Sequence, residues 1–174
     1  MGRDRYQTLY ERDFPNLADN DYQLTSPQTP TYNCIAWAMG DTEKWWWHEG
    51  RGGGWYWPPD VPRGGSVASY VRLFEMRGYE VCENGALEDG YEKVAIYSHF
   101  DGRVTHAARQ KPTGVWTSKL GRGHDIDHAT LDALDGALYG QATKFLRRSI
   151  RRGRAIPPRQ RQTKGAPPRP RKRK

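Results

Sequence analysis

The sequence predicts an α+β domain in which a short helix opening at Cys34 packs on an antiparallel β-meander. Three observations carry this. Asn33-Cys34-Ile35-Ala36-Trp37-Ala38-Met39 begins with a capping residue and runs into Gly40, which suits a short helix. Residues 93–97, 104–109 and 115–120 are strand-like runs separated by Phe100-Asp101-Gly102 and Pro112-Thr113-Gly114, both hairpin chemistry. Charge divides the chain. Residues 147–174 carry 13 Lys and Arg and no acid, and residues 1–146 carry 15 basic and 20 acidic residues, a net of −5. A mildly acidic body, 1–146, therefore precedes a cationic tail, 147–174, and the two need separate explanations.

The elements follow in order. Residues 1–30 are polar and hold Pro15, Pro27 and Pro30, so they read as an irregular arm wrapping the body. Residues 41–65 form an aromatic, glycine-rich loop with Trp45-Trp46-Trp47, Gly52-Gly53-Gly54 and Trp55-Tyr56-Trp57. Residues 66–77 read as a helix: Ser66 caps it, Val67, Tyr70, Val71 and Phe74 recur at helical spacing, and Gly78 ends it. Residues 121–129 are a polar loop or helix start. Leu131, Leu134 and Leu138 suggest a short helix, and Phe145-Leu146 a last apolar contact. Pro157-Pro158, Pro167-Pro168 and Pro170 exclude a long helix from the tail, and disorder is expected beyond about residue 152.

Composition narrows the function classes. A body of this length buries about two-thirds of its unfolded surface. No apolar run approaches the roughly 20 residues of a membrane helix, and the polar start offers no secretory signal. The two cysteines, Cys34 and Cys82, are far apart and read as free thiols, which makes cytoplasmic localisation the expectation.

The chemistry centres on Cys34. A thiolate in the first turn of a helix is stabilised by unsatisfied N–H groups and by the helix dipole. An imidazole facing it, from His106 early in the second strand, makes the thiol nucleophilic at neutral pH. On strand alternation His106 faces Cys34 while Thr105 and Ala107 face away. A third polar group holds the ring tautomer. Ser118 has the best position, Asp125 the best chemistry, and His128 is the remaining choice. The competing reading of Cys34 is a small buried hydrophobe, and of His106 a hydrogen-bonded strand residue. Cys82 reads as structural. His124 and His128, four apart, resemble half a metal site on a helix, but no further ligand is placed, so neither metal nor cofactor is expected. Six of the seven Trp lie between Trp37 and Trp57, either as core or as a stacking platform. Triple glycine beside Trp55 suggests a lid hinge, not a phosphate loop, since no Gly-Lys-Ser/Thr follows.

The blocks Asn33-Cys34-Ile35-Ala36-Trp37-Ala38, Glu92-Lys93-Val94-Ala95-Ile96-Tyr97, Thr105-His106-Ala107-Ala108-Arg109-Gln110, Trp116-Thr117-Ser118-Lys119-Leu120-Gly121 and Asp125-Ile126-Asp127-His128 resemble a family of uncharacterised bacterial proteins, a domain of unknown function, over about residues 32–147. The order of Cys helix, His strand and polar strand is similar to the papain-like superfamily, particularly its NlpC-type and amidase branches. That resemblance implies a papain-like fold with Cys34 as nucleophile and His106 as base. It departs at the third position, where Asn, His or Asp is usual and this chain offers Ser118 or Lys119. Gln28, six residues before Cys34, stands at the spacing of an oxyanion-hole glutamine.

The expected function is thus a thiol hydrolase or acyltransferase acting on amide bonds, its substrate and oligomeric state not specified by sequence. The alternative is a non-catalytic, nucleic-acid-associated protein that uses its basic tail, with no membrane partner. Each phosphate the tail neutralises contributes a slope of about −0.9 to log K against log salt on B-DNA. Weak, sequence-independent DNA or RNA binding by the full chain is expected to fall steeply with salt and to vanish on truncation after Ser149, where the remainder carries a net of −3 (−5 plus Arg147 and Arg148). Gel-shift titrations at two salt concentrations check this, and binding retained after truncation at moderate salt counts against it.

Overall fold

The computed structural model describes residues 5–50 and 54–150. The basic tail beyond residue 150 and two glycines of the expected hinge, Gly52 and Gly53, lie outside the described residues. The fold is α+β. Seven strands form one sheet in the order β1-β6-β5-β4-β3-β7-β2. They are β1 (Tyr22–Leu24), β2 (Glu80–Cys82), β3 (Tyr91–Ser98), β4 (Val104–Gln110), β5 (Trp116–Lys119), β6 (Asp125–His128) and β7 (Gln141–Ser149), and every neighbouring pair is antiparallel. Three helices accompany them: α1 (Arg5–Asp13), α2 (Cys34–Ala38) and α3 (Val67–Glu75). Residues β3 to β5 are the expected meander.

Alternation along the strands divides the core in two. Val94, Ile96, Ala107 and Leu146 face a cluster with Cys34, Ile35 and Ala38 of α2, Tyr70, Leu73 and Phe74 of α3, and Trp46 and Trp57 of the loop between them. Ala95, Tyr97, Ala108, Trp116 and Ile126 face the other way, against Phe14 and Leu17 and against Ala133 and Leu134. Phe14 and Leu17 belong to the 3-10 turn at Pro15–Asp19 and its entry, and Ala133 and Leu134 to a second at Leu131–Leu134. The sheet is therefore covered on both faces.

The caps expected from sequence are present. The Asn33 side chain accepts from the Ala36 N–H, and the Ser66 side chain from the Ser69 N–H. Several expectations are corrected. The arm at 1–30 contains α1, a 3-10 turn and β1, which pairs with β6. Residues 125–128 are a strand, not a polar loop or helix start. Their polar side chains are buried because partners await them: Tyr32 donates to Asp125, and His128 meets Ser118. The helix at 131–138 is a single 3-10 turn, and Leu138 is exposed.

The sheet also runs past residue 146, so Arg147 and Arg148 are strand residues rather than the start of the tail. Their charges are met by acids from neighbouring strands and turns. Arg147 donates to Glu80 at 2.9 Å and to Glu88 at 2.6 Å, and the Arg148 Nε donates to Glu92 at 2.7 Å. Leu146 between these strands is fully buried and pairs with Val94 and Val81. Leu146→Ala is expected to cost about 2–5 kcal/mol, the range for a leucine cavity in a core. A chain ending at Leu146 is expected to melt well below one ending at Ile150. Thermal denaturation of the three proteins checks both, and equal melting of the two truncations would show that the strand's last residues carry no stability.

Candidate active site

Asn33 makes the start of α2 rigid. Its Oδ1 accepts from the N–H groups of Ala36 and Trp46, and its Nδ2 donates to the Trp46 carbonyl, so one buried amide ties the helix to the aromatic loop. Cys34 opens α2 and is 6% exposed. It forms part of a cavity of about 180 Å³ whose wall includes Trp45, Trp47, Trp55, Thr105 and Tyr139. Burial pushes the thiol up to about 11, against the pull of backbone N–H groups of Ala107, Ile35 and Cys34 itself, and of the nearby Lys119 charge. The thiolate expected from a helix N-terminus is thus not the resting state. A helix of five residues is too short for its dipole to outweigh desolvation.

His106 is one residue from the Ala107 N–H that reaches the sulfur, but its ring leans the other way. It pairs across the sheet with Tyr97, on the face opposite α2, while Ala107 pairs with Ile96 on the α2 face. The expected alternation is therefore reversed. Its cause is a register shift between Tyr97 and Ser98, which leaves Thr105 unpaired between Val104 and His106. No hydrogen bond joins Cys34 to His106 among the described residues. Tyr139 touches both environments: its ring stacks on His106 at 4.1 Å and 7°, and it lines the Cys34 cavity. Gly140 makes that placement possible, because a Cβ there would lie 2.2 Å from the Ser98 carbonyl oxygen.

The ring of His106 is fixed by a hydrogen-bonded chain. His106 Nε2 lies 3.0 Å from Ser118 Oγ, Ser118 Oγ lies 2.9 Å from His128 Nε2, and His128 Nδ1 lies 2.7 Å from the Thr130 carbonyl. The carbonyl only accepts, so His128 carries its proton on Nδ1 and Nε2 is an acceptor. Ser118 must then donate to His128 and accept from His106. His106 is the Nε2–H tautomer, and its Nδ1 is a bare acceptor, buried and without a hydrogen-bond partner. Burial holds His106 well below its ordinary pKa of 6.5 and moves His128 down to about 4, where the Thr130 carbonyl opposes the shift.

Among the residues named from sequence, Ser118 thus sits at His106, and His128, the third choice, stands behind it. Asp125 does not. It lies on the α2 face, accepting from the Tyr32 hydroxyl at 2.7 Å, opposite Lys119 in the ladder. Lys119 lies over the Tyr32 ring and donates to the Gly123 carbonyl, and burial lowers its pKa against the pull of Asp125 and Cys34. Gln28 is outside the Cys34 cavity wall. His124 contacts Tyr10 rather than pairing with His128 on a helix, and no cluster of metal-ligating side chains occurs among the described residues. Cys82 donates to the Asn84 carbonyl, distant in sequence from the site. Sequence reasoning missed Tyr139; its only signal was a tyrosine placed beside a glycine after Leu138.

Residues 23–147 match a family described as a domain of unknown function, DUF7689. The chain belongs to that family. No curated protein and no solved structure matches it. The site, with β3 to β6 and α2, falls inside the matched span of DUF7689. No helix among the described residues is long and apolar enough to cross a membrane.

The buried histidines of this DUF7689 chain fix a pH dependence. His128 is neutral when folded and has a lower pKa folded than unfolded, so the unfolded state takes up a proton first as pH falls. The stability it contributes is complete above about pH 6.5 and is lost between there and about pH 4, amounting to about 3 kcal/mol at the lower end. His128→Asn is expected to flatten that stretch of the curve. Urea denaturation at pH 7, 5.5 and 4.5 checks it, and parallel curves for both proteins would refute the assignment.

Proposed function

We propose that the protein is a thiol acyl-transfer enzyme, a hydrolase or acyltransferase on amide bonds, with Cys34 as nucleophile, His106 as base and Ser118 as the group that orients it. The observation that supports this most is the bare, buried Nδ1 of His106, its tautomer set by Ser118, His128 and Thr130, on a ring stacked against Tyr139, which lines the Cys34 cavity. The likeness in motif order to papain-like enzymes belongs to this reading. In the reaction the Cys34 thiol gives its proton to His106 Nδ1, and the sulfur forms a bond to the amide carbonyl carbon. The C–N bond breaks, His106 returns the proton to the leaving nitrogen, and a thioester remains. Water or another acceptor then releases the acyl group. The N–H groups already turned toward the sulfur, from Ala107, Ile35 and Cys34, suit the developing oxyanion. In the free protein His106 faces away from α2, so this transfer requires the opening at residues 105–107 of β4 to rearrange when substrate binds.

The alternative, a non-catalytic protein associated with nucleic acid, is favoured by the orientation of His106 toward Tyr97 and by the cationic tail. The two separate on one measurement. With p-nitrophenyl acyl esters, intact-mass spectrometry is expected to find the acyl group on Cys34 rather than Cys82. His106→Gln is expected to slow acylation roughly 100-fold, the scale of general-base catalysis, with the melting temperature recorded as a folding control. Ser118→Ala is expected to slow it less. Equal acylation of both cysteines, indifferent to His106→Gln, would leave only the binding reading.

A further inference from the structure

The cavity at Cys34 says what kind of group enters it. Three indole rings and the Tyr139 ring supply most of its wall, and Trp45 and Trp55 lie nearly parallel, 6.4 Å apart between centroids at 22°. Among the described residues no charged side chain lines it. Two polar wall residues already bond within the fold: the Asn33 amide accepts from Ala36 and Trp46 and donates to the Trp46 carbonyl, and the one Thr105 hydroxyl proton goes to the Tyr139 carbonyl. The Cys34 thiol and the Tyr139 hydroxyl add two more uncharged polar groups to the wall.

Size adds a limit. An apolar cavity of about 150 Å³ holds one benzene ring, and this one is about 180 Å³. A charge placed there would lose its hydration and find no partner. Neither of the neighbouring cations lines the cavity: Lys119 donates to the Gly123 carbonyl and lies over Tyr32, and Arg122 lies over Trp45 with 5.9 Å to the ring centroid.

Resting on the acyl-transfer reading, we infer that the Cys34 cavity is a specificity pocket for one uncharged, ring-bearing group of the substrate, next to the scissile bond, and that it rejects carboxylate-bearing groups. The pocket selects by stacking and desolvation, not by ion pairing. Trp55, 41% exposed, is the solvent-facing ring of the wall.

The test uses the full chain and three alkylating reagents of one chemistry: iodoacetanilide, iodoacetamide and iodoacetate. In each the thiolate sulfur forms an S–C bond and iodide leaves. Peptide mass spectrometry at pH 9 reads Cys34 and Cys82 separately, so Cys82 normalises intrinsic reactivity. The Cys34-to-Cys82 rate ratio is expected to be at least tenfold higher with iodoacetanilide than with iodoacetate, with iodoacetamide between. Trp55→Ala, at a half-exposed position, is expected to remove most of the anilide preference. A ratio equal for all three reagents, or highest for iodoacetate through attraction to Lys119, overturns the inference, as does Cys34 inert to all while Cys82 reacts. Reagent preference does not require acyl transfer. A chain that shows the preference but forms no thioester refutes the enzyme and leaves the pocket, and the reverse result refutes the pocket alone.

Discussion

The site is organised by one carbonyl. The Thr130 carbonyl sits just past β6 and can only accept, and that single fact sets the proton on His128, the direction of the Ser118 hydroxyl and the tautomer of His106. The chain crosses three strands, β6, β5 and β4, and all its side chains share the face packed under the N-terminal arm. In water such bonds are exchangeable for solvent. Buried, they are obligatory, because an unmade one leaves a desolvated polar atom. His106 Nδ1 is the one nitrogen of the chain that the fold leaves unmade. A protein maintains such an atom at a cost in stability, as it does for one carboxylate oxygen each of Asp125, Asp127 and Asp135, and the proposed role for His106 draws its support from that cost together with the fixed tautomer.

The sheet opens beside His106. β4 pairs with β5 only through Arg109 to Thr117 and Gln110 to Trp116, so the strands part toward residues 105–107. Freed from the ladder there, the Ala107 N–H turns to the Cys34 sulfur. Tyr139 stacks on His106 at the same opening and lines the cavity as well. Its loop is closed by reciprocal hydrogen bonds between Gly136 and Gly140. The aromatic loop closes the cavity from the other side, tied down by Asn33 through Trp46. Thus the residues that Trp density marked in sequence split by role: Trp46 and Trp57 are core, and Trp45, Trp47 and Trp55 are cavity wall.

Local chemistry made much of this legible in sequence. The Asn33 and Ser66 caps, the two turns of the meander and the helix at Val67–Glu75 are set by residues within a few positions of one another. Long-range pairing was not legible. β6 reads Asp-Ile-Asp-His and carries no apolar alternation, because its polar side chains are answered by Tyr32 and Ser118, roughly 90 and 10 residues earlier. β7 ends in arginines that look like a tail until Glu80, Glu88 and Glu92 are placed beside them. The direction of His106 failed for a third reason: one bulge at Thr105 inverts alternation, and no residue type announces a bulge of this kind.

Burial also constrains the catalyst proposed here. A thiolate–imidazolium pair needs a thiol pKa below that of its base. Here desolvation raises the Cys34 thiol to about 11 and depresses His106, so both effects favour the neutral pair. Charge separates only when something in the cavity stabilises it. The groups placed to do so, the N–H donors at the sulfur and the Ser118 oxygen on His106 Nε2, act on the anion and on the cation respectively. A bound carbonyl that draws the sulfur forward and excludes water strengthens both interactions at once, since they operate in a low dielectric. Reactivity in this arrangement belongs to the complex rather than to the free thiol. On the proposed acyl-transfer reading the aromatic wall then takes part in the chemistry: an uncharged ring that fills the cavity would complete the environment in which the proton moves.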